Sequence, residues 1–73
     1  MPKVAYSEEE RKQIRQALVT TGLELMTRQG IQHTTVEQIY TAVGISRTFF
    51  YSFFPTKEDL IVEMLYLQQP KLI

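Results

Sequence analysis

The sequence predicts an all-α domain, a small bundle of about four helices, and three observations carry that expectation. Apolar residues recur at helical spacing in the longer segments, and no run alternates apolar and polar residues with the period of a strand. Ser7 and Glu10, Thr35 and Gln38, and Thr56 and Asp59 each place a Ser or Thr three positions before an acid or amide. In that pattern two side chains satisfy each other's otherwise orphaned backbone donors at a helix start. Gly30 and Gly44 then stand where the first two helices so begun would end, and Pro55 where a helix capped by Ser46 would end.

Taken in order, Ser7 with Glu10 opens a first helix over roughly residues 8–29. Ile14, Leu18, Gly22, Leu25 and Met26 form its apolar side, and Gly30 supplies a left-handed stop. Gly22 lies on that apolar side, where its cost of about 1 kcal/mol against Ala is reasonable if another helix crosses closely. Ile31 is expected to fold back onto the core. Thr35 with Gln38 opens a short second helix at Val36, which Gly44 stops. Ser46 offers a hydroxyl cap to a third helix that Pro55 ends after barely two turns. Thr56 and Asp59 open the fourth, whose broad apolar stripe of Leu60, Ile61, Met64, Leu65 and Leu67 runs toward Pro70. Residues 1–6 read as a flexible N-terminal arm, 7–69 as the domain, and the C-terminal end as frayed.

Composition narrows the function classes. The chain has 73 residues, enough for one domain that buries only about 60% of its unfolded surface. With 44% hydrophobic and 22% charged residues it reads as globular. The net charge is zero, but residues 1–57 carry Lys3, Arg11, Lys12, Arg15, Arg28, Arg47 and Lys57 against five acids, and the remainder carries the opposite surplus. The absence of cysteine excludes a disulfide framework and a thiolate metal site and suits a reducing cytoplasm. The lone His33 has no ligand partner at metal spacing and no nucleophile partner, so no metal, no cofactor and no enzyme activity is expected. No apolar run approaches the roughly 20 residues of a membrane span, and no targeting segment is visible.

Two short helices joined by a three-residue turn containing glycine follow the plan of a helix-turn-helix, expected over about residues 35–54. Ile39 and Val43 before Gly44, and Ile45, Phe50 and Phe53 after it, are set to fill one corner. At about 100° per residue, Phe50 and Phe53 point inward and Phe54 caps the core. Thr48 and Ser52 project opposite Phe50, Phe49 and Tyr51 lie on its flanks, and Arg47 sits at the helix start. Such a helix enters the major groove of double-stranded DNA. Arg47 suits a paired contact to guanine, Thr48 and Ser52 suit bases or phosphates, Phe49 suits a thymine methyl, and Tyr51 suits a phosphate. Lys57 is an independent hint. A cation in the first turn faces the positive end of the helix dipole, which a phosphate lying across the N-termini of helices two and four would offset. A lysine extended into water is the alternative there.

The stretch TTVEQIYTAVGISRTFFYSFFPTKEDLI, residues 34–61, resembles the N-terminal DNA-binding domain of the TetR family of bacterial transcriptional repressors. The likeness extends back through LELMTRQG and covers about Ile14 to Leu65. The cap Thr35, the turn VGIS, the Phe50-Tyr51 pair, Phe54 and the Pro55-Thr56-Lys57 corner carry it. The resemblance implies a homodimer whose recognition helices enter successive major grooves of a palindromic operator, released when a small-molecule effector binds a C-terminal domain absent from this chain. It implies phosphate contacts for Thr35, Tyr51 and Lys57 and a base contact for Arg47. Three positions depart from the family's pattern. Tyr40 stands where alanine is usual, Thr48-Phe49 replaces a frequent Gly/Ala-Thr pair, and Phe53 replaces a commonly polar-tipped Tyr or His. The competing expectation is a helical protein-interaction module, with Phe49, Tyr40 and the fourth helix's stripe as the docking surface.

Overall fold

The computed structural model describes residues 6–68, with side chains through residue 66. Among them are four α-helices and a short 3-10 turn, with no strand. They are α1 (Glu8–Gln29), the 3-10 turn Ile31–His33, α2 (Val36–Val43), α3 (Arg47–Phe53) and α4 (Lys57–Gln68). The expected all-α bundle is present. Residues 1–5 of the expected arm and the expected frayed end at 69–73 lie outside the described residues, as does the side chain of Leu67.

The helix starts follow the caps. Ser7 accepts from the Glu10 amide while Glu10 accepts from the Ser7 amide, and Thr35 and Gln38 repeat the exchange at α2. Thr56 accepts from the Asp59 amide, and Asp59 accepts from both the Thr56 amide and its hydroxyl. Glu8, Glu9 and Glu10 in the first turn of α1 and Arg28 in its last complement the helix dipole.

The core gathers Leu18, Val19 and Met26 of α1, Ile39 of α2, Phe50 of α3, Phe54, and Leu60 and Met64 of α4. Gly22 lets α4 approach: a Cβ built there would meet Leu60 Cδ2 at 3.1 Å. Arg15 ties the same two helices from outside, pairing with Glu63 at 3.0 Å and lying over the Phe54 ring.

Four expectations are corrected. Ile31 does not fold onto the core but is 51% exposed. The chain tightens there into the 3-10 turn, and Thr34 is the residue buried, its hydroxyl donating to the Gly30 carbonyl at 2.8 Å. Gly30 has φ 92° and ψ 150°, a glycine-favouring conformation different from the left-handed helical stop. Phe53 is only half-buried: it packs against the core beside Phe54, while Phe49 and the Arg11 guanidinium cover its outer side. The α4 stripe is divided: Leu60 and Met64 are buried and Ile61 partly so, while Leu65 is exposed beside Val62 and Tyr66.

Candidate nucleic-acid interface

The corner between α2 and α3 is made by Gly44 at φ 90° and ψ 30°, the left-handed conformation that glycine adopts without a Cβ clash. The amides of Gly44 and Ile45 both donate to the Tyr40 carbonyl, at 2.9 and 3.0 Å, closing the last turn of α2. Ser46 then caps α3 by accepting from the Phe49 amide at 3.1 Å. A seven-residue helix is too short to hold itself in water, so its packing fixes its roll. Phe50 is fully buried and touches Tyr40, Tyr51 and Phe54 through their rings. Tyr40 is half-buried against this cluster, which accommodates its bulk in place of a small residue.

With Phe50 inward, Arg47, Thr48, Tyr51 and Ser52 are all exposed on α3. The Arg47 guanidinium lies 5.7 Å from the centroid of the Tyr51 ring, which extends it along the helix face with its N–H edges open. The Ser52 hydroxyl donates to the Phe49 carbonyl at 2.6 Å, so as held it presents lone pairs and not a proton. Phe49 differs from the free ring expected. It is half-buried and stacked on Tyr6 at 4.6 Å and 15°, with the Arg11 guanidinium 5.6 Å from its centroid.

Thr35 and Lys57 sit at the two helix starts. Thr35 is exposed, and the Gln29 amide of α1 reaches across to Gln38 Oε1 at 2.7 Å, bracing its capping box. Lys57 neither reaches open water nor stands alone. Its ammonium donates to the Ile31 carbonyl at 2.6 Å, joining the start of α4 to the turn that precedes α2. The structure thus brings Arg47, Thr48, Tyr51 and Ser52 onto one helix and links Lys57 to the approach of Thr35.

Sequence reasoning passed over Tyr6, Arg11 and Lys12. Arg11, Lys12 and Arg15 line an open groove of about 350 Å³ with Glu8, Ser52 and Phe53, alongside α3. The available signal was Tyr6 itself. A large ring just before an N-cap commonly packs against the residue four positions into the helix, here Arg11, and finding a cation there redirects the ring to another aromatic.

Among the described residues no cluster of acids and histidines is placed to hold a metal, and no helix is long and apolar enough to cross a membrane.

The family model described as bacterial regulatory proteins, tetR family, matches residues 18–64. Among curated proteins, the chain is 35% identical over 54 residues to the uncharacterized HTH-type transcriptional regulator YuxN of Bacillus subtilis (strain 168), covering 74% of this chain and 19% of that protein. It is 41% identical over 49 residues to the HTH-type transcriptional regulator TcmR of Streptomyces glaucescens, covering 67% of this chain and 22% of that protein. The chain thus spans about a fifth of the length of these relatives. No solved structure matches it significantly. With its helix-turn-helix corner in place and the family's match running from the middle of α1 into α4, the chain belongs to the tetR family of bacterial regulatory proteins.

Proposed function

We propose that this domain is the DNA-reading head of a transcriptional repressor. In the full-length protein it acts as a homodimer on a palindromic operator and is released when a small-molecule effector binds a separate C-terminal domain. The observation that carries the reading is the division of α3, with Phe50 fully buried and Arg47, Thr48, Tyr51 and Ser52 exposed. In the major groove Arg47 donates to a guanine edge, Thr48 bonds base or phosphate, Tyr51 donates to a phosphate and Ser52 accepts from a base donor. Thr35 and Lys57 take phosphates at the starts of α2 and α4. Phe49 serves by holding α3 through its stack on Tyr6. A single domain reaches one half-site of a pair about 34 Å or a multiple apart, so this chain alone binds weakly.

The exposed Val62, Leu65 and Tyr66, at 63%, 66% and 74%, favour a covered surface on α4. In the proposed repressor the remainder of the protein covers it. In a protein-interaction module it would be the functional face. An amide NMR titration with a generic duplex at low salt separates the two readings. Shifts at Thr35, Arg47 to Ser52 and Lys57 are expected, and none there up to millimolar duplex with the fold intact would sink the DNA reading.

A further inference from the structure

We infer that the groove between the start of α1 and the end of α3 is an additional DNA-phosphate site, with Arg11 and Lys12 as its ligands. The inference rests on the DNA-reading function proposed above and extends the interface to an element outside the helix-turn-helix.

Three cations line the groove, and only two are available. Arg15 is committed to Glu63 at 3.0 Å and to the face of Phe54. Arg11 makes no ion pair among the described residues. Its guanidinium lies 4.7 Å from the centroid of Phe53 and 5.6 Å from that of Phe49. Stacking of this kind occupies the faces of the plane and orients it while leaving N–H groups at its edge, the presentation suited to two-pronged phosphate recognition. Lys12 is exposed on the same groove and likewise has no ion pair among the described residues. Its ammonium adds a point charge beside the fork.

Position supplies the second argument. Ser52 lines the groove and also belongs to the exposed face of α3. A duplex receiving α3 in its major groove therefore brings a backbone strand beside Ser52, within the reach of long side chains from α1. The Ser52 proton is spent on the Phe49 carbonyl, leaving Arg11 and Lys12 to supply the donors that a phosphate needs. Glu8 shares the groove and opposes an anion. Its carboxylate weakens the site without cancelling two cations, and this gives the test a second direction.

The test is the dependence of duplex affinity on salt, measured by fluorescence anisotropy on this chain with a generic duplex. Each phosphate contact contributes about −0.9 to the slope of log affinity against log salt. Arg11→Met keeps an apolar stem on the two rings and removes the charge, and Lys12→Gln alters an exposed position. The double variant is expected to flatten the slope by one to two contacts' worth, so that the affinity lost between 50 and 200 mM salt shrinks by about 3.5-fold per contact. Glu8→Gln is expected to tighten binding, whereas Glu24→Gln, on an exposed site farther along α1, leaves it nearly unchanged. Amide spectra of each variant establish that the fold is retained. An unchanged slope in both Lys12→Gln and the double variant, with the parent chain binding steeply, overturns the site while leaving the reading head intact. Failure of the parent chain to bind any duplex overturns the reading head itself. If inorganic phosphate shifts the Arg11 side-chain resonance as strongly as duplex at equal phosphate concentration, the groove is a free-anion site and the inference fails.

Discussion

The Lys57 ammonium donates to the Ile31 carbonyl at 2.6 Å, across 26 positions of sequence. This contact resolves why a cation occupies the first turn of α4, where the helix dipole opposes it. A carbonyl aimed at the ammonium offsets the dipole and leaves two of its three donors available. The same bond clips α4 to the turn that leads into α2, so one side chain serves fold and proposed interface together.

Lys57→Ala is therefore expected to have two separable effects. The charge-assisted bond is exposed to solvent and contributes at most about 1 kcal/mol to stability. Loss of a phosphate contact flattens the salt slope by about one unit. Urea denaturation reads the first and duplex titration the second. A slope equal to that of the parent chain would assign Lys57 to the fold alone.

Phe50 and Arg47 lie three residues apart on α3 and should behave oppositely. Phe50 is fully buried, so Phe50→Ala removes about 3–5 kcal/mol, most or all of the stability of a domain this size. Arg47→Ala is expected to leave the unfolding midpoint within about 0.5 kcal/mol of the parent while costing about 1–3 kcal/mol of discrimination at the base it reads. Calorimetric unfolding and competition between operator variants measure the two. A large stability loss in Arg47→Ala would mean that its stack on Tyr51 is structural.

What was legible in the sequence was local chemistry. The Ser7, Thr35, Ser46 and Thr56 caps, the Gly44 turn and the Pro55 stop each act within four residues, and each helix begins where its cap stands. Burial of Phe50 and the placement of Arg47, Thr48, Tyr51 and Ser52 on the exposed side of α3 followed from rotation about one helix. The misses are of two kinds, one a tight local turn and the other a set of partners distant in sequence. Ile31 reads as core by hydropathy, but the turn hands the buried position to Thr34, whose hydroxyl finds the Gly30 carbonyl. Phe49 and Phe53 read as one exposed and one buried ring, yet Tyr6 and Arg11 from α1's start make both of them flanks of a single clamp. No helical wheel of α3 contains Tyr6.

That clamp makes Tyr6 a positioning residue for α3. Its near-parallel stack on Phe49 is of the kind worth about 0.5–1.5 kcal/mol. Tyr6→Ala is expected to cost about that much in stability and to shift amide resonances along Arg47–Phe53 in the free domain. Tyr6→Phe, which keeps the ring, is expected to restore both. Resonances of α3 that stay in place in Tyr6→Ala would show that Phe50 and Phe54 alone set the helix's roll.

Gly22 provides the sharpest packing test. A Cβ there would lie 3.1 Å from Leu60 Cδ2, 3.5 Å from Met64 Sδ and 3.6 Å from Ile39 Cδ1, so it would press on three buried side chains from two other helices. Replacing a mid-helix glycine by alanine gains about 1 kcal/mol of helix propensity. The tight approach costs a comparable amount, because Leu60 is fully buried and its methyl must shift by a few tenths of an ångström. Gly22→Ala is thus expected to unfold within about 1 kcal/mol of the parent. Gly22→Val adds further methyls against the same wall and loses the propensity gain, and is expected to cost about 2 kcal/mol or more. Urea melts of both variants check the pair. If Gly22→Val were as stable as Gly22→Ala, α4 would be free to move away from α1, and the close crossing would not be what keeps α4 and its Lys57 in register with α2.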